Sequence, residues 1–265
     1  MSNDALIESV IDIARRAGEA ILEVYQRDFQ VEHKDDNSPL TAADMAAHHI
    51  IVEDLRELTP DIPVLSEESA DIAWETRRDW QRYWLVDPLD GTREFVKRNG
   101  EFTVNIALIE GDRSVMGVVQ TPVTGELHYA RRGEGAFCQA NPGAEVRSIH
   151  VRRASSPLVV AGSRSHASER QQTLLARLGR HELVPRGSSL KFCLIARGEA
   201  DLYLRAGPTS EWDTAAAQCV LEAAGGAVTL LDGEPLRYNT KESLLNPEFI
   251  AVGDTSVDWA ARLRG

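Results

Sequence analysis

The stretch Asp87-Pro88-Leu89-Asp90-Gly91-Thr92 follows directly on the apolar run Tyr83-Trp84-Leu85-Val86. A short apolar run bounded by turn residues predicts a buried strand. Two carboxylates would then lie at the end of that strand, with a proline fixing the backbone between them. The side chains of Asp87 and Asp90 and the Leu89 carbonyl could thus converge on one point, and such oxygen ligands are those that Mg²⁺ prefers.

The two residues after these acids favour a phosphate ligand. Gly91 and Thr92 would offer free backbone N–H groups to a phosphate oxygen if a helix or tight turn begins there. Asp-Pro and Asp-Gly pairs are also ordinary turn formers, so the motif alone leaves a plain turn open.

The composition is that of an ordinary globular protein, with 43% apolar and 26% charged residues in 265. A net charge of −12 argues against a nucleic-acid polymer or an anionic membrane as partner, because phosphate backbones are bound by clusters of Lys and Arg. A small phosphorylated substrate stays compatible, provided that metal ions reverse the local charge.

Three scattered cysteines, Cys138, Cys193 and Cys219, show neither a disulfide framework nor zinc-site spacing. The early acids Asp4 and Glu8 argue against a signal peptide, and no apolar run approaches the roughly 20 residues that span a bilayer. We therefore expect a cytoplasmic protein without an integral membrane span, a monomer or homodimer; peripheral association with the inner membrane stays open.

Hydrophobic periodicity predicts two halves. Residues 1–155 favour an α+β half: two long helices, the second introduced by Pro39 and capped by Thr41, and then antiparallel hairpins ending in a strand at Ile149 to Arg152. A polar join near Ala154 to Pro157 precedes residues 156–265, where strands and helices alternate in the manner of an α/β half.

Further acids lie at predicted element ends. Glu67 follows the strand ending at Leu65, Asp213 precedes a helix, and Asp44 is in the first turn of the second helix. Each has a structural explanation: a solvated Glu-Glu pair, a helix N-cap, and a capping box with Thr41. Their joint occurrence beside a Gly-Thr turn favours a shared site instead.

A cluster of carboxylates needs cations, because like charges repel and burial increases the repulsion. Bound divalent ions can orient a water molecule, lower its pKa and neutralise a phosphoryl group. The pattern therefore predicts metal-dependent hydrolysis of a phosphate ester. No Gly-x-Ser-x-Gly elbow or P-loop competes for the role.

Glu67-Glu68-Ser69, Asp87 to Thr92 and Trp212-Asp213-x-Ala-Ala together resemble the three-part signature of the inositol monophosphatase family, the lithium-sensitive Mg²⁺-dependent phosphatases. The resemblance covers nearly the whole chain. It implies a layered αβαβα sandwich of the inositol monophosphatase / fructose-1,6-bisphosphatase type and two or three Mg²⁺ ions.

The resemblance also implies roles for individual residues. The metal ligands would be Glu67, Asp87, Leu89 (through its carbonyl), Asp90 and Asp213. Asp44 and Thr92 would position and activate the attacking water, while Gly91 and Thr92 hold phosphate. Glu67, Asp90 and Asp213 would also face the substrate.

Finer features resemble the bisphosphate nucleotidase branch of this family: Lys34-x-Asp36-x-Ser38-Pro39-x-Thr41-x-Ala43-Asp44, Gly162 to His166, Gly187 to Lys191, and Asp201 to Arg205. They imply adenosine 3′,5′-bisphosphate as substrate, AMP and phosphate as products, and a role in sulfur assimilation. His166, Ser188, Lys191 and Arg205 would hold the nucleotide and its second phosphate.

Three functions stay open at this point. The leading one is the bisphosphate nucleotidase, because a second phosphate needs a cationic partner and Lys191 and Arg205 are available. Both could equally be solvated surface charges, and His166 a cap or core histidine. Glu211-Trp212 could face inositol hydroxyls, which leaves an inositol or other sugar monophosphatase open. A catalytically silent metal-binding protein on the same scaffold is the third.

Overall fold

The computed structural model describes residues 3–27, 39–162 and 168–264. Its helices are α1 (Asn3–Tyr25), α2 (Pro39–Leu58), α3 (Trp74–Arg77), α4 (Thr92–Val96), α5 (Glu169–Arg177), α6 (Leu190–Ala196), α7 (Glu211–Ala223) and α8 (Trp259–Arg264). A single 3₁₀ turn covers Glu67–Ser69. Among the described helices, none is both long and apolar enough to cross a membrane.

Two sheets contain the strands. The first has the order β1-β2-β3-β4-β5-β6-β7, and the second β11-β12-β10-β8-β9. Their bounds are β1 (Val64–Ser66), β2 (Arg82–Asp90), β3 (Thr103–Glu110), β4 (Arg113–Thr121), β5 (Glu126–Arg131), β6 (Gly135–Gln139), β7 (Val146–Ile149), β8 (Leu158–Gly162), β9 (His181–Pro185), β10 (Leu202–Arg205), β11 (Ala227–Leu230) and β12 (Phe249–Val252).

The first sheet is antiparallel except for the parallel pair β1–β2. In the second sheet β8 runs parallel to β9 and β10, whereas β12 runs antiparallel to β10 and β11. Hairpins thus build the first sheet, and helical crossovers contribute to the second, as expected for antiparallel and parallel pairs.

Helices cover both faces of each sheet. α1 and α2 pack on one face of the first sheet, through a core that includes Ile21, Leu55 and Trp84. α6 and α7 lie between the two sheets, where Cys219 and Phe249 belong to one shared core. α5 and α8 cover the outer face of the second sheet. The predicted αβαβα sandwich is confirmed, since every sheet face must be covered to bury its apolar side chains.

Close packing of α7 on the first sheet depends on Gly117 in β4. A Cβ atom on Gly117 would lie 2.2 Å from the Ala216 carbonyl oxygen. Because real Cβ atoms do not approach backbone so closely, only glycine permits this helix–sheet distance.

Several predicted bounds are wrong in detail. The strand predicted at Ile149 to Arg152 instead covers Val146–Ile149, and β9 was not predicted. Thr41 was expected to cap α2, but the helix begins at Pro39, so Thr41 lies inside its first turn. The division of the chain at residue 155 stays a prediction.

Candidate active site

Three carboxylates from separate elements meet at one edge of the first sheet. Glu67 begins the 3₁₀ turn after β1, Asp87 lies in β2, and Asp213 is in the first turn of α7. One oxygen from each lies within 4.8 Å of the others, so the three could hold a metal ion together. β1 and β2 bring the first two together because they pair in parallel, with Ser66 opposite Val86.

A register irregularity in β2 lies between the two aspartates of the central motif. β2 continues through Asp90, which pairs with Thr103, but the register with β3 shifts between Asp87 and Asp90. The Asp87 Oδ1 atom accepts a hydrogen bond from the Leu89 N–H at 3.0 Å. The Leu89 side chain is buried in the core. The role predicted for its carbonyl oxygen stays a prediction.

Asp90 is held by Ser189, a residue of the Gly187 to Lys191 motif to which the sequence analysis assigned no role. The Ser189 N–H donates to Asp90 Oδ2 at 2.7 Å, and the Ser189 Oγ lies 2.9 Å from the same oxygen. Asn105 in β3 donates to that Oγ at 2.8 Å. This network fixes the Asp90 carboxylate from the N-cap residue of α6, which β3 supports in turn. The signal for Ser189 was its place inside the Gly187 to Lys191 motif, of which only Ser188 and Lys191 were assigned roles.

Asp213 was expected to precede a helix and to serve as its N-cap, but α7 begins at Glu211 and its N-cap is Ser210, so Asp213 lies inside the first turn. Its Oδ2 atom accepts the N–H of Ser210, the N-cap residue of α7, at 2.9 Å. One oxygen of the same carboxylate faces Glu67 and Asp87. The helix cap therefore orients the acid rather than replacing its place in the cluster.

Glu211, two residues earlier, points away. Its side chain is completely buried, and Oε2 accepts the Asn239 N–H at 2.9 Å while Lys241 Nζ lies 3.6 Å from Oε1. It is thus tied to the loop after β11, and the suggestion that it faces a sugar ring is wrong.

Asp44, which was predicted to activate the attacking water, lies on α2 with only 7% of its surface exposed. Its Oδ1 atom is buried without a hydrogen-bond partner among the described residues. A buried acceptor left unpaired costs roughly 1–3 kcal/mol, so this atom is poised for a ligand.

The electrostatics of the cluster point to missing positive charge. Burial, followed by repulsion from Glu68 and Glu67, raises the pKa of Asp44 to about 8. Burial together with neighbouring carboxylates likewise raises the pKa of Glu67 to about 7 and that of Asp213 to about 7. Burial also raises the pKa of Asp90. An all-oxygen donor set with this unbalanced charge fits hard divalent cations.

A cavity of about 350 Å³ opens beside these acids. It is lined by seven of the residues predicted for the site, namely Asp90, Gly91, Thr92, Ser188, Lys191, Arg205 and Asp213. The lining also includes the aromatic residues Phe192, Tyr203 and Phe249, which the site prediction omitted. Carboxylates and cationic side chains thus line the same cavity.

Gly91 makes the sharp turn into this cavity. Its φ of +101° lies in the left-handed region, and a Cβ would lie 3.2 Å from both the Glu101 carbonyl oxygen and Phe102 Cα. A side chain is therefore disfavoured both by conformation and by space.

Lys191 is a buried cation in the lining of this cavity. Its Nζ atom donates to the Ser188 carbonyl at 2.7 Å and lies 5.2 Å from the centre of the Tyr203 ring. Burial lowers the pKa of this ammonium to about 8, although the charge of Asp90 acts in the opposite direction. An ammonium held in this way is not the freely solvated charge that the alternative reading supposed.

Arg205, the last residue of β10, is the second cation. Its guanidinium donates to the carbonyls of Gly207 at 3.2 Å and Pro208 at 2.8 Å. These bonds leave its charge without a carboxylate in hydrogen-bonding contact among the described residues. His166 and the rest of segment 163–167 lie outside the described residues. The same is true of Lys34 and Asp36.

The fold and the acid cluster together define the class of protein. The model of the inositol monophosphatase family matches residues 2–256, and the chain belongs to this family. An inositol monophosphatase from Zymomonas mobilis, 22% identical, shares the fold with a TM-score of 0.81 over 100% of both chains.

Similarity to one branch is much higher. The 3′(2′),5′-bisphosphate nucleotidase CysQ of Salmonella typhimurium is 54% identical over 92% of this chain and 98% of its own. The corresponding protein of Escherichia coli K12 is 52% identical over the same shares. The crystal structure of CysQ from Bacteroides thetaiotaomicron is 44% identical, with a TM-score of 0.85 over 94% of this chain and 97% of its own. The resemblance to the family and to its bisphosphate nucleotidase branch is confirmed.

Proposed function

We propose that this protein is a Mg²⁺-dependent 3′(2′),5′-bisphosphate nucleotidase that hydrolyses adenosine 3′,5′-bisphosphate to AMP and phosphate. The observation that carries the proposal is a single cavity whose lining combines the carboxylates of Asp90 and Asp213 with the cations of Lys191 and Arg205. The names of the relatives that are more than 50% identical support the same substrate.

The acids Glu67, Asp87, Asp90 and Asp213, with the Leu89 carbonyl, would hold the two or three Mg²⁺ ions that we infer. Bound there, the ions would supply charge neutralisation of the phosphate and a more acidic water. The protein's own contribution is to fix the ligands, as Ser189 does for Asp90 and Ser210 for Asp213.

Asp44 and Thr92 would orient the attacking water. The unpaired Oδ1 of Asp44 is free to accept a hydrogen bond from it, and a general base must lie within hydrogen-bonding reach of the proton that it removes. Gly91 and Thr92 lie where the backbone enters α4 and would contact the scissile phosphate.

The part of the cavity lined by Lys191 and Arg205 would bind the rest of the nucleotide. Lys191 and Arg205 would pair with the 5′-phosphate, which is charge that a monophosphate lacks. The rings of Tyr203 and Phe249 pack edge to face, 5.7 Å apart, and would offer an apolar surface to the nucleoside. Ser188, whose φ is +43°, and His166 complete the set that we propose.

A phosphate-release assay on a panel of esters tests the substrate. With Mg²⁺ present, we expect a higher kcat/KM for adenosine 3′,5′-bisphosphate than for inositol 1-phosphate or 3′-AMP. A preference for inositol 1-phosphate would make the protein a sugar monophosphatase instead. Release of phosphate from no ester would support the catalytically silent alternative.

The variant Lys191→Ala separates recognition from chemistry. We expect KM to rise far more for the bisphosphate than for 3′-AMP, because only the bisphosphate carries the second charge. Lys97→Ala removes an exposed lysine that does not line the cavity and serves as the matched control. Equal rises in KM for both substrates would remove Lys191 from nucleotide recognition.

Asp90→Asn tests the metal site. The side chain stays nearly isosteric, so folding should survive, while the loss of a charged ligand should abolish turnover. A near-normal kcat in this variant would show that Asp90 is not a ligand.

A further inference from the structure

A second group of potential metal ligands lies on the hairpin of β5 and β6, outside the proposed active site. Glu126 and His128 project from the same face of β5, since they are two residues apart, and Cys138 in β6 lies directly opposite His128. One carboxylate oxygen, one imidazole nitrogen and the thiol sulfur all lie within 4.8 Å of one another. The Glu126 Oε1 atom is 3.6 Å from His128 Nε2 and 3.8 Å from Cys138 Sγ.

His128 is the unexplained member of this group. Its side chain is completely buried, yet neither Nδ1 nor Nε2 has a hydrogen-bond partner within residues 3–27, 39–162 and 168–264. Each buried polar atom left unpaired costs roughly 1–3 kcal/mol, so nearly all such atoms in proteins have partners. The imidazole is therefore directed at a group that the described part of the chain does not provide.

Arg197, at the C-terminal end of α6, supplies the charge next to the cluster. Its Nη1 atom donates to Glu126 Oε1, and Nη2 donates to Glu199 Oε2 at 2.8 Å. The guanidinium neutralises Glu126 but leaves both nitrogens of His128 unsatisfied. If the guanidinium of Arg197 loses its bond to Glu126, it still has Glu199 as a partner.

We propose that Glu126, His128 and Cys138 bind a borderline-soft divalent transition metal ion of the Zn²⁺ class. Sulfur, imidazole nitrogen and carboxylate oxygen together are the ligands of such ions, and three protein ligands with one open position are a common arrangement. The oxygen-only cluster of the active site, in contrast, suits Mg²⁺.

The exchange balances charge. On binding, the Cys138 thiol releases one proton and the Arg197 guanidinium leaves Glu126 for Glu199 and solvent. Two positive charges thus leave the cluster as the divalent ion enters, and the thiolate and carboxylate neutralise it. The adjoining cavity, about 220 Å³ in volume and lined in part by Glu126, His128 and Arg197, gives room for the guanidinium to move and for the ion to enter.

Co²⁺ titration of the whole protein tests this site by a spectroscopic signature. Excess Mg²⁺ is added to compete with Co²⁺ for the acid cluster, and a thiol-free reductant keeps the cysteines reduced. We expect the near-ultraviolet band of thiolate-to-cobalt charge transfer, reaching a plateau at one Co²⁺ per chain and displaced by Zn²⁺. The active-site acids cannot give this band, because they contain no sulfur, so the result is independent of phosphatase activity.

Three variants locate the band. Cys138→Ser should remove it, whereas Cys219→Ser, which changes another buried cysteine in α7, should retain it. His128→Gln should keep a weaker band, with Co²⁺ affinity lowered about tenfold or more. If Cys138→Ser fails to fold, the affinity loss in His128→Gln decides the matter. Absence of the band in the unmodified protein, or full affinity in His128→Gln, would overturn the proposal and leave Arg197–Glu126 as a purely structural pair.

Discussion

Asp201 offers the sharpest test of how the second sheet is held to the segment before it. The residue lies just before β10, its side chain is completely buried, and its carboxylate accepts bonds from three different residues. Arg152 Nε donates to Oδ1 at 2.9 Å, Ser155 N to Oδ1 at 3.3 Å, and Val159 N to Oδ2 at 2.6 Å. The Ser155 hydroxyl donates to Oδ2 as well.

The substitution Asp201→Asn keeps the shape but replaces one accepting oxygen with a donating NH₂ group. If the NH₂ group takes the place of Oδ2, the Val159 N–H and the Ser155 hydroxyl then face another donor. If it takes the place of Oδ1, Arg152 Nε and the Ser155 N–H do. Hydrogen bonds to a charged group contribute about 1.5–3 kcal/mol each, so losing two predicts a loss of about 3–6 kcal/mol of unfolding free energy. For a chain of this size that corresponds to a fall in Tm of roughly 6–24 °C.

The pH dependence follows from the same contacts. Burial alone raises the pKa of Asp201, but the hydrogen bonds from Arg152, Ser155 and Val159 outweigh it and hold the pKa below 3.8. The stabilisation is therefore fully present above the unfolded-state pKa and is lost as the pH falls through the lower folded-state value. The difference between wild type and Asp201→Asn should stay constant from about pH 8 to about pH 5 and shrink below about pH 4.

Urea unfolding followed by tryptophan fluorescence across this pH range measures the difference. Asp232→Asn is the matched control, because Asp232 is exposed and its side chain accepts only the Glu234 N–H among the described residues. The control should stay within about 0.5 kcal/mol of wild type. A loss below about 1 kcal/mol for Asp201→Asn at neutral pH, or a difference that grows on acidification, would refute this account.

Three other predictions concern packing and the metal site. Gly117→Ala should lower the unfolding free energy by about 1–3 kcal/mol in urea titrations, because the new Cβ meets the Ala216 carbonyl; an unchanged value would mean that α7 moves freely. Mg²⁺ at about 100 times its Kd should stabilise the wild type by about 2.7 kcal/mol in thermal unfolding, an effect that EDTA reverses and that Asp213→Asn loses. Ser189→Ala removes the hydroxyl next to Asp90 and should lower kcat/KM about 10- to 100-fold in the phosphate-release assay; unchanged kinetics would contradict the positioning role.

Local sequence patterns predicted the helices and strands that have one regularly buried face. Hydrophobic periodicity predicted two long helices followed by antiparallel hairpins, and the structure contains α1 and α2 followed by hairpins such as that of β5 and β6. These predictions succeed because each pattern expresses which face of a helix or strand is buried.

β9 was missed because it lies at the edge of its sheet and gives no such pattern. Its residues are only half-buried or exposed, and Pro185 ends it. An edge strand of this kind is held by pairing with β8, which no local signal reports. In the same way, β2 extends through Asp90 because β3 pairs with it there.

The sequence by itself determined the family and the acids that belong to its signature. Only the tertiary structure decided which acids share a site. Glu211 and Asp213 are two residues apart in one helix, so they point about 200° apart around its axis, and one turns to Asn239 while the other faces Glu67 and Asp87. Bringing like charges together is unfavourable locally, so that convergence is imposed by sheet pairing and core packing between distant parts of the chain, which no short stretch encodes.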